Sequence, residues 1–172
     1  MELMDLYDEN RIPLGRVADR PGEKKPGEYR TVIHVALFDS KGRMLIQRRT
    51  PQKKLWPDRW DLSVGGCVDA GETSRQGAER EAYEDLGYAL DLTGVRPSLT
   101  VNFDGGFDDV YIVVRDLNLS ELHLQEEEVS EVRWATEAEV LAMLAEGSFV
   151  GYPKHFLSLL FEIRNIFGFP EK

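Results

Sequence analysis

The sequence predicts an α/β fold in which a mixed β-sheet is covered by helices. Three observations support this class. Runs of β-branched and apolar residues with strand-like spacing alternate with segments of helical periodicity. Turn residues, chiefly Gly, Asp and Pro, stand between these segments. The chain has 172 residues, 42% of them hydrophobic, which is enough to bury a core without disulfides or a structural metal.

The first strands are predicted to form hairpins. Leu3–Tyr7 and residues 12–17 flank a polar turn at 8–10, which indicates an N-terminal hairpin within residues 1–20. The Pro- and Gly-dense stretch at 21–27 is typical of an exposed loop. The other predicted strands are those of a second hairpin, at 31–38 and 44–49, and four more at 60–64, 97–103, 110–114 and 132–134.

Three segments are predicted to be helices. Ser74–Leu86 begins after Thr73, which stands in capping-box spacing with Gln76. It ends before Gly87, a residue suited to a left-handed C-cap. This helix is therefore marked at both ends by the sequence. The other two predicted helices span residues 137–145 and 153–166, the last with apolar spacing that extends to Phe167.

The charge balance limits the classes of function. With 21 Lys and Arg against 31 Asp and Glu, the net charge of -10 argues against binding to a nucleic-acid polymer. No apolar run reaches the roughly 18 residues that a membrane span needs. The single cysteine, Cys67, cannot close an internal disulfide, which favours a reducing compartment. We therefore expect one cytoplasmic domain over residues 1–172 that handles a small ligand.

The predicted helix Ser74–Leu86 carries three carboxylates on one face. At about 100° per residue, Glu81, Glu84 and Asp85 fall within a single turn, beside the apolar face. Each such pair repels by roughly a few tenths of a kcal/mol on an exposed helix. A bound Mg²⁺ or Mn²⁺ would reverse that effect, since hard divalent cations prefer oxygen ligands. Helical spacing alone leaves both a metal site and a solvated acidic face open.

The wider spacing around this helix favours the metal site. From Gly66 the chain follows G-x5-E-x7-R-E-U-x-E-E-x-G-U, in which U is apolar. The pattern resembles the Nudix box of hydrolases that act on nucleoside diphosphates linked to another moiety, and it spans residues 66–88. Asp85 stands where that family usually has a second Glu, and Ala82 and Tyr88 are weak aliphatic matches. The other matching residues are Glu72, Arg80, Glu81, Glu84 and Gly87.

This resemblance implies an α/β/α sandwich and Mg²⁺- or Mn²⁺-dependent hydrolysis of a small-molecule diphosphate. It implies that the cation polarises a phosphorus while a water activated by carboxylate and metal attacks it. Glu81 or a loop acid is then the base, and Gly66, Gly87 and the pair of Arg80 with Glu72 are structural. The implied metal ligands are Glu81, Glu84, Asp85, the Gly65 carbonyl and Glu128, of which Glu128 also fits a solvated run of three Glu.

Residues outside the box are candidates for substrate contact. Arg48 and Arg49 belong to a basic cluster near the box, so one of them is a candidate phosphate contact, although such pairs also cap strand edges. Asp109 follows a Gly-Gly turn and is a candidate substrate contact, extra base or ligand. Trp56 and Trp60 are expected to fill the core rather than stack on a base. No site role is assigned to the histidines His34, His123 and His155.

Three functions stay open. The N-terminal hairpin and residues 124–131 resemble the branch related to isopentenyl-diphosphate isomerase, so an isomerase is the alternative to a hydrolase, and a metal-poor binding module is the third. In the isomerase family the reactive cysteine directly follows a Ser-Val-type dipeptide. Here Val64 is followed by Gly65, and Cys67 lies two positions later, which favours the hydrolase. The hairpin and the apolar C-terminal helix also suggest a homodimer.

Overall fold

The computed structural model describes residues 3–20 and 25–166. Residues 21–24 of the predicted loop lie outside the described residues. The same holds for Phe167, at the end of the third predicted helix.

Across the described residues, the chain forms a two-stranded hairpin and a seven-stranded mixed sheet. The hairpin pairs β1 (Leu3–Tyr7) with β2 (Pro13–Asp19) in antiparallel orientation. The strands of the large sheet are β3 (Arg30–Phe38), β4 (Met44–Arg49), β5 (Trp60–Asp61), β6 (Val64–Cys67), β7 (Leu99–Phe103), β8 (Gly106–Val114) and β9 (Val129–Ala135). Their order is β5-β4-β3-β8-β7, with β6 paired to β3 and β9 paired to β4.

The helices of the described residues are α1 (Ser74–Leu86), α2 (Glu137–Glu146) and α3 (Lys154–Ile163). Helix α1 packs on one face of the sheet, over odd-numbered residues of β3 and β8 such as Val35 and Tyr111. Helices α2 and α3 pack on the other face, over even-numbered residues such as Phe38 and Ile112. This alternation follows from the two-residue period of a strand. The predicted α/β class, with its sandwich and N-terminal hairpin, is therefore confirmed. None of the described helices is both long and apolar enough to cross a membrane.

The second hairpin of the sequence prediction is present only at its turn. The Asp39 N–H donates to the Arg43 carbonyl at 2.9 Å, which closes the turn between β3 and β4. Only Phe38 and Met44 then pair across the two strands. Beyond that pair the strands separate, because β3 pairs with β6 and β4 pairs with β9. The predicted second hairpin is therefore confirmed at its turn, but its two strands do not pair beyond Phe38 and Met44.

The buried Ser63 side chain bridges the gap between the separated strands. Its hydroxyl accepts a hydrogen bond from the Leu37 N–H at 2.8 Å and donates to the Leu45 carbonyl at 2.5 Å. An unpaired buried backbone group costs about 1–3 kcal/mol. One hydroxyl therefore satisfies two backbone groups that a hairpin ladder would have paired.

Several strand ends differ from the sequence prediction. Strand β8 begins at Gly106, four residues before the predicted start, because it runs parallel to β3 along its whole length. The predicted strand 60–64 is two short strands, and the predicted 132–134 extends to Val129–Ala135. These ends are set by the partner strand rather than by local composition.

The N-terminal hairpin is attached to the loop that leads into α1. The Ala70 N–H donates to the Leu3 carbonyl at 2.8 Å, and the Gly71 N–H donates to the Asp5 carboxylate at 2.8 Å. From the hairpin turn, Arg11 reaches Asp109 on β8 and forms an ion pair with it. The hairpin is thus fixed to the segment that positions α1.

Candidate active site

Helix α1 carries the acidic cluster. It begins with a complete capping box at Thr73 and ends at Gly87, whose φ of 63° suits a left-handed C-cap. Glu81 and Asp85 are only 8% and 6% exposed, whereas the Glu84 side chain is half exposed. The acids therefore form a partly buried cluster rather than a fully solvated face.

The two glycines of β6 face opposite sides of the sheet. Gly66 lies beneath Glu81, because a Cβ at this position would be 2.1 Å from the Glu81 carboxyl carbon. Gly65 lies against His34, where a Cβ would be 2.8 Å from the imidazole Cδ2. Real Cβ atoms do not approach other atoms so closely. A side chain at either position would therefore force the facing group to move, and at Gly66 that group is a carboxylate of the cluster.

Arg80 neutralises part of this cluster. Its guanidinium donates to the two Glu72 oxygens at 3.0 and 3.1 Å. It also donates to Glu81 at 3.0 Å and to Glu84 at 2.9 Å. A further N–H reaches the Cys67 carbonyl at 2.8 Å. One cation therefore ties the loop before α1 to the acidic face of the helix.

The electrostatic environment favours the protonated form of the buried acids. Burial and, after it, the neighbouring carboxylates of Glu81 and Glu128 together raise the pKa of Asp85 to about 7, against the opposing charge of Lys53. Burial also raises the pKa of Glu81, although Arg80 opposes this. A cation that replaced these protons would relieve the repulsion.

Backbone hydrogen bonds bring the late acidic loop to the helix. The Gln125 N–H donates to the Asp85 carbonyl at 3.1 Å, and the Thr50 N–H donates to the Glu128 carbonyl at 3.1 Å. Lys53 forms an ion pair with the Glu128 carboxylate. Glu128 is thereby placed beside Asp85, and Lys53 belongs to the basic cluster that the sequence places near the box.

The acids do not form a preformed metal site. Among residues 3–20 and 25–166, no three Asp, Glu, His or Cys side chains converge closely enough to hold a metal ion. Arg80 and Lys53 draw Glu81, Glu84 and Glu128 toward themselves. Metal binding would therefore require these carboxylates to exchange a cationic side chain for the ion.

The two candidate arginines have different partners. The register between β4 and β9 shifts between them, because Arg48 pairs with Glu131 and Arg49 with Val129. Arg49 donates to Asp61 at 3.2 Å and to the Leu55 carbonyl at 3.2 Å. Arg48 pairs with Asp58 at 2.9 Å instead. Both guanidinium groups brace the loop between β4 and β5, close to Lys53.

A buried polar network that the sequence did not reveal lies behind Gly65. His34 Nδ1 is 2.8 Å from Asp108, and its Nε2 is 3.1 Å from the Tyr152 hydroxyl. Tyr152 donates to Asp61 at 2.7 Å, which links the network to Arg49. Burial alone would lower the pKa of His34, but the hydrogen bond and charge of Asp108 raise it. No sequence signal joins these residues, because His34, Asp61, Asp108 and Tyr152 come from four separate parts of the chain.

Asp109 lies on the opposite face of β8 from Asp108. It accepts hydrogen bonds from Arg11 at 2.9 Å and from Thr100 at 2.7 Å. Burial acts to raise its pKa, but the hydrogen bonds from Arg11, Ser74 and Thr100 hold the pKa below its usual value. Its contacts therefore join the N-terminal hairpin to the sheet.

Comparison with known proteins gives consistent matches over most of the chain. The family model described as the NUDIX domain matches residues 28–155. An uncharacterized Nudix hydrolase of Listeria monocytogenes is 44% identical over 165 residues, which cover 96% of each chain. The crystal structure of the Deinococcus radiodurans protein DR0079 superposes with a TM-score of 0.72 at 26% identity, over 94% of this chain and 98% of that one.

A more distant relative bears on the isomerase alternative. An isopentenyl-diphosphate Delta-isomerase of Streptomyces avermitilis is 29% identical over 159 residues, which cover 86% of this chain and 77% of that protein. The similarity to the hydrolase of Listeria monocytogenes is greater in both identity and coverage.

Proposed function

On the premise that this chain belongs to the Nudix hydrolase family and hydrolyses pyrophosphate bonds, we propose a metal-dependent reaction on a small diphosphate. The substrate is a nucleoside diphosphate derivative or a related diphosphate, and the metal is Mg²⁺ or Mn²⁺. The observation that carries the proposal is the electrostatic influence of the neighbouring Glu81 and Glu128 carboxylates on Asp85, which adds to the effect of burial on its pKa. Such crowded carboxylates are unfavourable without a cation.

The donor set fits a hard divalent cation. All the candidate ligands are oxygen atoms, which Mg²⁺ and Mn²⁺ prefer. Burial is the main cause of the raised pKa values of Glu81 and Asp85, and a bound cation would stabilise the charged forms of both carboxylates. When bound, the ion supplies positive charge that screens the diphosphate and polarises its phosphorus. The residues that would hold it are Glu81, Glu84, Asp85, Glu128 and, through its carbonyl, Gly65.

The protein side chains have distinct parts in this reaction. Glu81 or Glu128 accepts the proton of the attacking water, since both lie at the cluster. Arg80 holds the helix and loop together through Glu72. Lys53 and one of the two arginines before it supply counter-charge for the diphosphate. An additional role for Asp109 stays a prediction, and it would require that carboxylate to leave Arg11.

The function is tested by assaying the hydrolysis of a panel of diphosphates, with the phosphorylated products identified by chromatography. The panel contains nucleoside di- and triphosphates, ADP-ribose, NADH, CoA derivatives and non-nucleoside diphosphates, each with Mg²⁺ or Mn²⁺. We expect turnover of at least one compound and complete loss of turnover on chelation. The melting temperature of the folded chain should rise on adding the metal, because a ligand that binds only the native state stabilises it. Activity that survives exhaustive chelation would disprove the mechanism.

The isomerase is the second candidate, favoured by the similarity to the enzyme of Streptomyces avermitilis. Gly65 stands where that reaction needs its cysteine, and Cys67 is 9% exposed on β6. A two-residue shift on a strand moves a side chain by about 6.5 Å. Thiol-dependent interconversion of isopentenyl and dimethylallyl diphosphates, lost in Cys67→Ser, would establish the isomerase instead.

We also propose that the chain forms a homodimer and is located in the cytoplasm. The dimer is supported by exposed apolar residues of the hairpin, such as Ile12 at 58% and Val17 at 49%, and by Leu159 of α3 at 36%. Sedimentation should show twice the chain mass at micromolar concentration, and a single 19.6 kDa species would reject the dimer. The cytoplasmic location is supported by the lone cysteine of the sequence.

A further inference from the structure

The two ends of the strand order β5-β4-β3-β8-β7 differ in how their outer edges are covered. At β5, Trp60 forms a β-bridge with Phe149. The Trp60 N–H donates to the Ser148 carbonyl at 2.9 Å, and the Val150 N–H donates to the Trp60 carbonyl at 2.8 Å. At the other end, β7 pairs with β8, and no other strand of residues 3–20 and 25–166 pairs with it. The outer edge of β7 is therefore open.

This open edge lacks the features that usually keep an edge strand from pairing with another chain. Proteins protect such edges with lysine, proline, a bulge or a very short strand. Strand β7 has five residues, LTVNF, none of which is charged or proline. Its register with β8 is continuous from the pair of Leu99 with Val110 to the pair of Phe103 with Gly106. The strand is thus regular and uncharged, which suits it for pairing with another strand.

The two faces of β7 differ in polarity. Leu99 packs against the core on the side of α2 and α3, so Val101 and Phe103 face the same side. Both of these are exposed, at 39% and 37%, because neither helix covers them fully. Thr100 and Asn102 face the other side, where Thr100 donates to Asp109 at 2.7 Å. A strand added at this edge should therefore be apolar on the first side and polar on the second.

The sequence around β7 is complementary to itself in the opposite direction. If two copies pair in antiparallel orientation about a two-fold axis at Thr100, residues equally distant from Thr100 face each other. Leu99 then faces Val101 of the other copy, and Thr100 faces its own counterpart. Beyond the ends of the strand, Arg96 comes opposite Asp104 of the other copy, and the symmetry forms this contact twice. Apolar residues thus meet apolar ones, and opposite charges meet at both ends.

The charges of Arg96 and Asp104 are available for these contacts. Both residues are exposed, and within the part of the chain that the structure describes neither side chain forms a hydrogen bond or an ion pair. The net charge of -10 makes two copies repel each other at long range. Pairing along an uncharged strand with two opposite-charge contacts at its ends places attraction where the copies come closest.

We propose that the open edge of β7 is the interface through which two copies of this chain form a homodimer. The two strands pair in antiparallel orientation about Thr100, so the large sheets of the two copies become one continuous sheet. Backbone hydrogen bonds join the strands, and the contacts of Arg96 with Asp104 fix their register. The inference goes beyond the proposed reaction and rests on the proposed homodimer. The exposed residues of the hairpin and of α3 are the competing surfaces.

Charge-exchange variants test this interface, with the dimer dissociation constant measured by analytical ultracentrifugation over a concentration series. Arg96→Asp and Asp104→Arg each turn two attractive contacts into repulsive ones, so each should weaken dimerisation by about tenfold. The double variant Arg96→Asp/Asp104→Arg restores opposite charges and should return the constant to within about threefold of the wild type. Melting temperatures of the same preparations show whether each variant is folded.

A control separates this contact from the overall charge. Lys41→Asp makes the same charge change as Arg96→Asp, in the exposed turn between β3 and β4, and should leave the dissociation constant unchanged. Asp104→Arg lowers the net negative charge of each copy, so long-range repulsion alone predicts that it strengthens the dimer. The interface at β7 predicts that it weakens the dimer.

Cysteine cross-linking measures the register directly, in the Cys67→Ser background. Thr100→Cys places a thiol at the two-fold axis, where paired Cβ atoms are about 4.5–5.5 Å apart, so mild oxidation should give a covalent dimer. Asn102→Cys is the matched control on the same face. Its two thiols are displaced by four residues along the pairing, or about 13 Å, which is too far for a disulfide.

Ile12→Glu in the hairpin and Leu159→Glu in α3 test the competing surfaces, and both should leave the dimer intact. Loss of the dimer in either of these folded variants, or its persistence in both single charge variants, would reject β7 and keep the homodimer. Failure of the double variant to recover the dimer, or cross-linking through Asn102→Cys but not Thr100→Cys, would reject the pairing. A monomeric wild type would reject both dimer and interface. The proposed reaction is judged separately, by metal-dependent hydrolysis of the diphosphate panel.

Discussion

Glu81→Gln is expected to lower kcat by roughly a hundredfold to ten-thousandfold while the chain stays folded. Glu81 is buried over Gly66 and accepts a hydrogen bond from Arg80, so the fold holds its carboxylate within the cluster. Glutamine keeps the volume and can still accept from the guanidinium. It removes the charge that would bind a cation or accept a proton. Steady-state kinetics and thermal melts of the same preparation measure both effects.

Other acids of the chain provide the comparison. Glu84→Gln should lose a similar factor in kcat, and Glu128→Gln a smaller one, since Glu128 is paired with Lys53 at the edge of the cluster. Glu79→Gln is the control on the same helix, because Glu79 accepts from the Leu92 N–H at 2.8 Å, and it should leave kcat unchanged. Small and equal losses at the three cluster positions would show that the acidic face is only solvated surface.

Gly66→Ala is expected to abolish turnover and to lower the free energy of unfolding by about 3 kcal/mol. The new methyl group would lie 2.1 Å from the Glu81 carboxyl carbon, so the carboxylate must leave its position. It would thereby lose its bond to Arg80 while remaining attached to a buried stretch of helix. Chemical denaturation and kinetics of the variant measure the two losses.

A double variant identifies the cause. Glu81→Ala in the Gly66→Ala background removes the overlapping carboxylate, so it should recover most of the stability but none of the activity. Gly71→Ala serves as the control glycine, because its φ is 85° but no atom lies within 4 Å of the added Cβ. That variant should cost about 1 kcal/mol of stability and keep kcat. If Gly66→Ala loses no more stability and no more kcat than Gly71→Ala, the close packing of Glu81 on Gly66 is not needed for folding or turnover.

The helix and its acids could be predicted from the sequence because their determinants are local. The capping box at Thr73 and the C-cap at Gly87 fix both ends of α1 within its own residues. Helical geometry then places Glu81 and Asp85 one turn apart. Because residues 66–88 match the spacing of a known motif, the loop before the helix could be predicted as well. These features do not depend on which strand pairs with which.

The rest of the site depends on strand pairing and could not be predicted locally. The register shift between Arg48 and Arg49 exists only because β9 pairs with β4. His34 and Asp108 meet because β3 and β8 run parallel side by side. The exposure of Trp56 follows from a loop conformation that a bulky residue rarely adopts, so residue preferences pointed to the core instead.

The separation of β3 from β4 also governs the order in which the molecule can fold. The local turn provides only one strand pair, whereas β3 draws its longest pairing from β8, which brings together residues 74 positions apart such as His34 and Asp108. Closing a loop of that length costs conformational entropy before any contact offsets it, so sheets of this kind form slowly. Helix α1 has its own caps and can form early. In a partly folded chain, α1 and its acids can therefore form before β3 pairs with β8. The site is complete only when the whole sheet has formed.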